Sequence, residues 1–215
     1  MSPSIDLVKF ALLFSALYAA FGVASPFLPE FLLLHGVGPE RLGLALSLAT
    51  TIRLISAPLA GRIADRLHAL RIVLAICAAM GGAAALVFLP AFGFPVLLFV
   101  ALLHAAMLAP TSVLADALAL SAATTSSNTR SRFEYGWVRG LGSLAFILGS
   151  LAAGQTIQAF GIGSIVIGQA ILLLTAAGAA FWVPEISFPT APNRSSIELN
   201  TPAYWTYSDH PVSGG

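Results

Sequence analysis

Three ionisable residues stand deep inside apolar runs of this chain. Arg53 lies in Thr50-Thr-Ile-Arg-Leu-Ile, Asp116 in Ser112-Val-Leu-Ala-Asp-Ala, and Arg139 in Tyr135-Gly-Trp-Val-Arg-Gly. A guanidinium at the centre of a bilayer costs about 2.5–3.5 kcal/mol on insertion scales, so each must face a protein interior or a wet cavity with an acceptor near. Two arginines and a carboxylate so placed can bind an anion, take part in coupling, or lock into a fixed salt bridge. On sequence alone the functional and the structural readings of all three stay open.

The elements that carry them are long. Charged residues make up 9% of the 215, against about 25% in soluble domains. Hydrophobic residues reach 58%, and the mean hydropathy is +0.90. Too few polar side chains remain to cover a water-facing surface. A spanning helix needs about 20 mostly apolar residues, and six such runs are expected at 8–34, 41–62, 70–90, 94–121, 135–160 and 162–183. Breaks fall at Gly36-Val-Gly-Pro39, Pro90-Ala-Phe-Gly-Phe-Pro95, the polar run Thr124 to Arg130, and Phe160-Gly-Ile-Gly163. The runs show no two-residue alternation, which excludes a closed barrel and leaves helices. The fold class is therefore an all-α membrane protein with six transmembrane helices. The fourth and fifth spans run antiparallel, so Asp116 and Arg139 approach the same side and are expected to pair.

Basic residues orient the bundle. Lys9, Arg62, Arg66, Arg71, Arg130, Arg132 and Arg194 fall on one side and Arg41 on the other, seven against one. By the positive-inside rule both termini are cytoplasmic, in a multi-pass protein of the plasma (inner) membrane. A net charge of +1 argues against a nucleic-acid partner, which demands a basic surface. The single cysteine, Cys77, rules out a disulfide within the chain and argues against a metal cluster. Nothing calls for a cofactor. Cleavage of a signal peptide is not expected, because Pro26 would follow a cut at Ser25 and Asp6 dilutes the positive leader.

Lesser candidates come with competing readings. Phe14, Tyr18, Phe21 and Ser25 share one face of the first span, as an aromatic cavity wall or as ordinary helix packing. His104 could relay protons or serve as a hydrogen-bonded packing residue, and it sits about 120° around the helix from Asp116. Glu30, near Pro26 and Pro29, reads as an interface residue. Gly136 and Gly140 permit close helix contact.

The stretch Pro58-Leu-Ala-Gly-Arg-Ile-Ala-Asp-Arg-Leu67 is read as a charged turn between two spans. Gly61, Asp65 and Arg66 keep the spacing G-x-x-x-D-R, which resembles the loop between the second and third helices of major facilitator superfamily transporters. That resemblance implies a conformational-switch loop and one half of a major facilitator fold. Phe133-Glu-Tyr-Gly-Trp-Val-Arg139 resembles the start of the fifth helix in the lactose permease group of proton symporters. It implies that Arg139 is a substrate or gating residue and Asp116 its partner. Leu17-Tyr-Ala-Ala-Phe-Gly-Val, Leu114-Ala-Asp-Ala-Leu-Ala-Leu and Tyr135 to Ser143 look like the phenylpropionate permease-like branch. Family resemblance then implies a proton-coupled importer of a small organic solute such as an aromatic acid. It is not expected to be an enzyme, and Arg139, Asp116, Arg53 and Tyr18 are the residues expected to line its path. In one place the chain departs from the pattern. The superfamily usually continues with a glycine and two basic residues, whereas this chain has His68-Ala-Leu-Arg71.

Such transporters bind substrate between two six-helix halves. Residues 1–185 would be one six-helix domain, and 186–215 a disordered polar tail rich in proline and serine. The chain is thus expected to be an N-terminal half whose second half was lost to a frameshift or early stop, or one that rebuilds a cavity as a homodimer. Its partners would be a small-molecule substrate, protons and the lipid bilayer. The main alternative is a non-transporting membrane subunit or remnant. An intramembrane serine protease is a remote one. It would need Ser143 and His104, yet Gly140-Leu-Gly-Ser143 lacks the glycine expected after the nucleophile.

Overall fold

A computed structural model describes residues 3–125 and 135–184, without the side chains of 3–6, 124 and 125. The expected tail at 186–215, and with it Arg130, Arg132 and Arg194, lies outside the described residues. Seven helices make six spans: α1 Pro3–Ala24, α2 Leu28–Leu34, α3 Pro39–Leu67, α4 Leu70–Val87, α5 Phe94–Thr125, α6 Tyr135–Phe160 and α7 Ser164–Trp182. Each span is long and apolar enough to cross a membrane, and no strand occurs among the described residues. The first span is α1 and α2 in series, broken at Ser25-Pro26-Phe27, where Pro26 has no N–H to continue the helical ladder.

In packing order the helices run α3, α5, α4, α7, α1, α6. The contacts repeat. The pairing of α1 with α6 mirrors that of α5 with α3, and α1 on α7 mirrors α5 on α4. The first three spans and the last three are thus two copies of one arrangement, related by a pseudo-twofold that passes between α4 and α7. α1 and α5 touch only sparsely, and a transporter's cleft would open along this seam between the two copies. α3 and α6 flank it and are the least buried spans.

Small residues hold the flanks. α3 rests on α5 through an alanine stripe, Ala45, Ala49, Ala60 and Ala64. α6 meets α1 backbone to backbone. A Cβ on Gly22 would overlap the Phe146 carbonyl, and one on Gly149 would stand 2.6 Å from the Ala19 oxygen. The Ser150 hydroxyl seals the seam by donating to the Gly22 carbonyl at 2.9 Å. In hydrocarbon such contact is the main driving force available, because lipid tails are as apolar as the helices.

The second span corrects an expectation. It does not end near residue 62, and Gly61, Asp65 and Arg66 belong to the last two turns of α3 rather than to a loop. The connection is only His68-Ala69. There the Ala69 amide donates to the Ala64 carbonyl at 3.1 Å and the His68 amide to Asp65 at 3.3 Å, a Schellman closure that satisfies the last carbonyls. The backbone stays helical because this closure, not the charged stretch, ends it. His68 occupies the left-handed position with φ 50°, where a glycine would carry no steric penalty. Next to it, Arg71 donates to the Phe181 and Val183 carbonyls at 3.4 and 3.3 Å, capping the end of α7.

Two stability outcomes are expected in detergent unfolding. Gly149→Ala should cost about 1–3 kcal/mol by forcing α1 and α6 apart. His68→Gly should raise stability by about 1 kcal/mol by relieving the left-handed strain.

Candidate functional site

The cleft-side charges meet tyrosines. Tyr135 opens α6, one turn before Arg139, and its hydroxyl donates to Asp116 Oδ1 on α5 at 2.9 Å. Arg139 places its guanidinium carbon 4.5 Å from the centroid of the Tyr18 ring on α1. A cation over an aromatic face gains about 0.5–2 kcal/mol, more as the site dries. Three helices from both copies of the repeat therefore converge on four side chains.

The expected ion pair between Asp116 and Arg139 is not formed. Each charge has taken a tyrosine instead, Asp116 the hydroxyl of one and Arg139 the face of another. Both charges nevertheless lie within electrostatic reach of Tyr18 and of Tyr135, so the four groups share one field. Tyr18 itself is fixed. It stacks on Phe14 and meets Phe21 edge-on, each at 5.7 Å between centroids. Gly142 of α6 makes room for it, since a Cβ there would come within 2.9 Å of the ring. The aromatic stripe of the first span is thus a wall that backs a half-buried guanidinium. Among the described residues no carboxylate or carbonyl accepts from the Arg139 N–H fork, which suits a planar acceptor such as a carboxylate.

Arg53 stands apart from this cluster. It lies mid-way along α3 and is exposed, within electrostatic reach of His104. His104 is buried on α5 and packs edge-on against Phe88 at 5.6 Å. Its Nε2 and the Nε2 of buried Gln169 on α7 find no hydrogen-bond partner. His104 is not brought to Ser143, whose hydroxyl donates to the Arg139 carbonyl on its own helix, nor to Asp116. Gly61, Asp65 and Arg66 sit at the far end of α3, with both charged groups exposed.

Two participants escaped the sequence reading. Tyr135 had a signal, a hydroxyl-bearing ring four residues before an intramembrane arginine and so on its face of the helix. Gln169 had one too, an amide alone in the apolar run Ser164–Trp182.

The model of the MFS_1 like family matches residues 7–204. The chain belongs to this family. No curated protein matches it in sequence. As a member of the MFS_1 like family with six apolar spans, the protein is a multi-pass membrane transporter by class. Membership fits the six-helix half with its internal repeat.

Tyr135→Phe removes one charge-assisted hydrogen bond across α5 and α6. It should lower the unfolding free energy in detergent by about 1 kcal/mol, with the helix content by circular dichroism unchanged.

Proposed function

We propose that the protein is a secondary active transporter that imports a small organic acid together with protons. An aromatic acid such as phenylpropionate is the substrate we favour. The observation that carries this reading is the Arg139 guanidinium, half-buried and held against the Tyr18 ring, with no carboxylate paired to it among the described residues. A carboxylate would accept bidentately from the guanidinium, and an aromatic group would meet the half-buried Phe21, which stands edge-on to Tyr18. Asp116, held by the Tyr135 hydroxyl, is the carboxylate beside the path to which we assign the coupled proton. The bias of basic residues toward one side supports cytoplasmic termini in the inner membrane.

Arg53 favours an addition to this reading. An arginine exposed at mid-span is too costly to leave against lipid, so a second six-helix body covers α3 at the level of Arg53. That body is either a second copy of the chain or a separate half. A subunit that does not transport by itself is the corresponding second reading.

Liposomes carrying the purified protein, alkaline inside, distinguish these. Radiolabelled 3-phenylpropionate should accumulate while the gradient lasts. Arg139→Lys keeps the charge and loses the fork, and it should slow uptake about tenfold or more. Uptake unchanged in that variant would remove Arg139 from binding. No uptake by the unaltered protein would leave the subunit reading.

A further inference from the structure

On its other side α3 diverges from α4, and the gap is an apolar groove of about 330 Å³. Leu59, Ile63 and Leu67 of α3, Ile76 and Cys77 of α4, and Met107 of α5 line it, and Ser56 is its one hydroxyl. It arises because α3 leans on α5 through alanines and touches α4 little. The groove is separate from the substrate cleft. Met107 and Asp116 are nine residues apart on α5, which directs them to opposite sides of that helix.

Its dimensions and its ends identify an occupant. From Ser56 to Leu67 the groove follows α3 for eleven residues, about 16 Å, which is one leaflet of a hydrocarbon core about 30 Å thick. One end therefore lies near the midplane and the other at the His68-Ala69 turn, where chain meets headgroups. Arg66 stands at that mouth, two helical turns beyond Leu59 and on the same face of α3. Asp65 falls on the opposite face from the groove, and among the described residues neither it nor another carboxylate pairs with Arg66. An apolar slot one leaflet long, with an unpaired cation at its wet end, is complementary to one kind of molecule.

We propose that this groove binds an anionic phospholipid from the leaflet on the arginine-rich side. One acyl chain lies between α3 and α4, and the phosphate sits against Arg66. A water-soluble substrate would find almost nothing polar along the slot, and a zwitterionic lipid would gain less from the arginine. Cys77 forms part of the wall and is the only cysteine in the chain, so the site contains its own reporter.

The test places the full-length protein in nanodiscs of phosphatidylcholine with or without phosphatidylglycerol. Retained lipid is read by native mass spectrometry, and Cys77 alkylation is timed with N-ethylmaleimide. Phosphatidylglycerol should be retained in preference to phosphatidylcholine and should slow alkylation. Arg66→Gln should reduce that preference about fivefold. Ile63→Trp, at a position 43% exposed and so compatible with folding, should fill the slot and abolish retention at unchanged helix content. Equal retention of the two lipids, or a preference that survives either substitution, would overturn the proposal. None of these readouts depends on transport.

Discussion

A polar group in hydrocarbon has no water to fall back on, and it must find its partner inside the protein. That constraint orders this molecule at every scale. The chain makes helices because a helix closes its own amide bonds. The helix ends are closed locally too, by the Schellman turn after α3 and by Arg71 on the last carbonyls of α7. Side-chain hydroxyls follow the same rule. Ser150 bridges to the Gly22 carbonyl, and Thr111 and Ser121 donate back along α5.

The same rule explains how the charges are treated. Asp116 and Arg139 would satisfy each other in a direct salt bridge, and a locked pair would offer nothing to a ligand. Here a tyrosine is interposed on each side, Tyr135 by its hydroxyl and Tyr18 by its ring. Both charges are stabilised, and among the described residues no carboxylate pairs with the arginine. A structural role and a binding role need not exclude each other in this arrangement. Arg53 is different, because no such neighbour lies beside it and it projects from the least buried span.

The bundle has two unlike faces. Between α1 and α5 it is lined by charges and aromatic rings, as befits a family of transporters. Between α3 and α4 it is apolar, with the exposed Arg66 close to the end of α3. The long extension of α3 past residue 62 serves both. It holds Asp65 and Arg66, with Gly61 just before them, on a helix rather than in a loop.

Much of this architecture was legible in the residues alone. Six spans and the helical class follow from composition and run length, because the hydrophobic and hydrogen-bonding demands of a bilayer act on each segment by itself. The fifth span, at 135–160, needed no neighbour to define it. Where a decision rested on contacts between spans, the residues underdetermined it. That Asp116 takes Tyr135 and not Arg139 depends on the rotation of α5 against α6. That Gly22 and Gly149 are contact points, while Gly136 and Gly140 have open space beside them, depends on which face α6 turns to α1. The length of α3 depended on a left-handed histidine that local preference disfavours and the closing hydrogen bonds enforce. Local sequence sets what each helix is, and packing, which couples residues far apart in the chain, decides what each side chain meets.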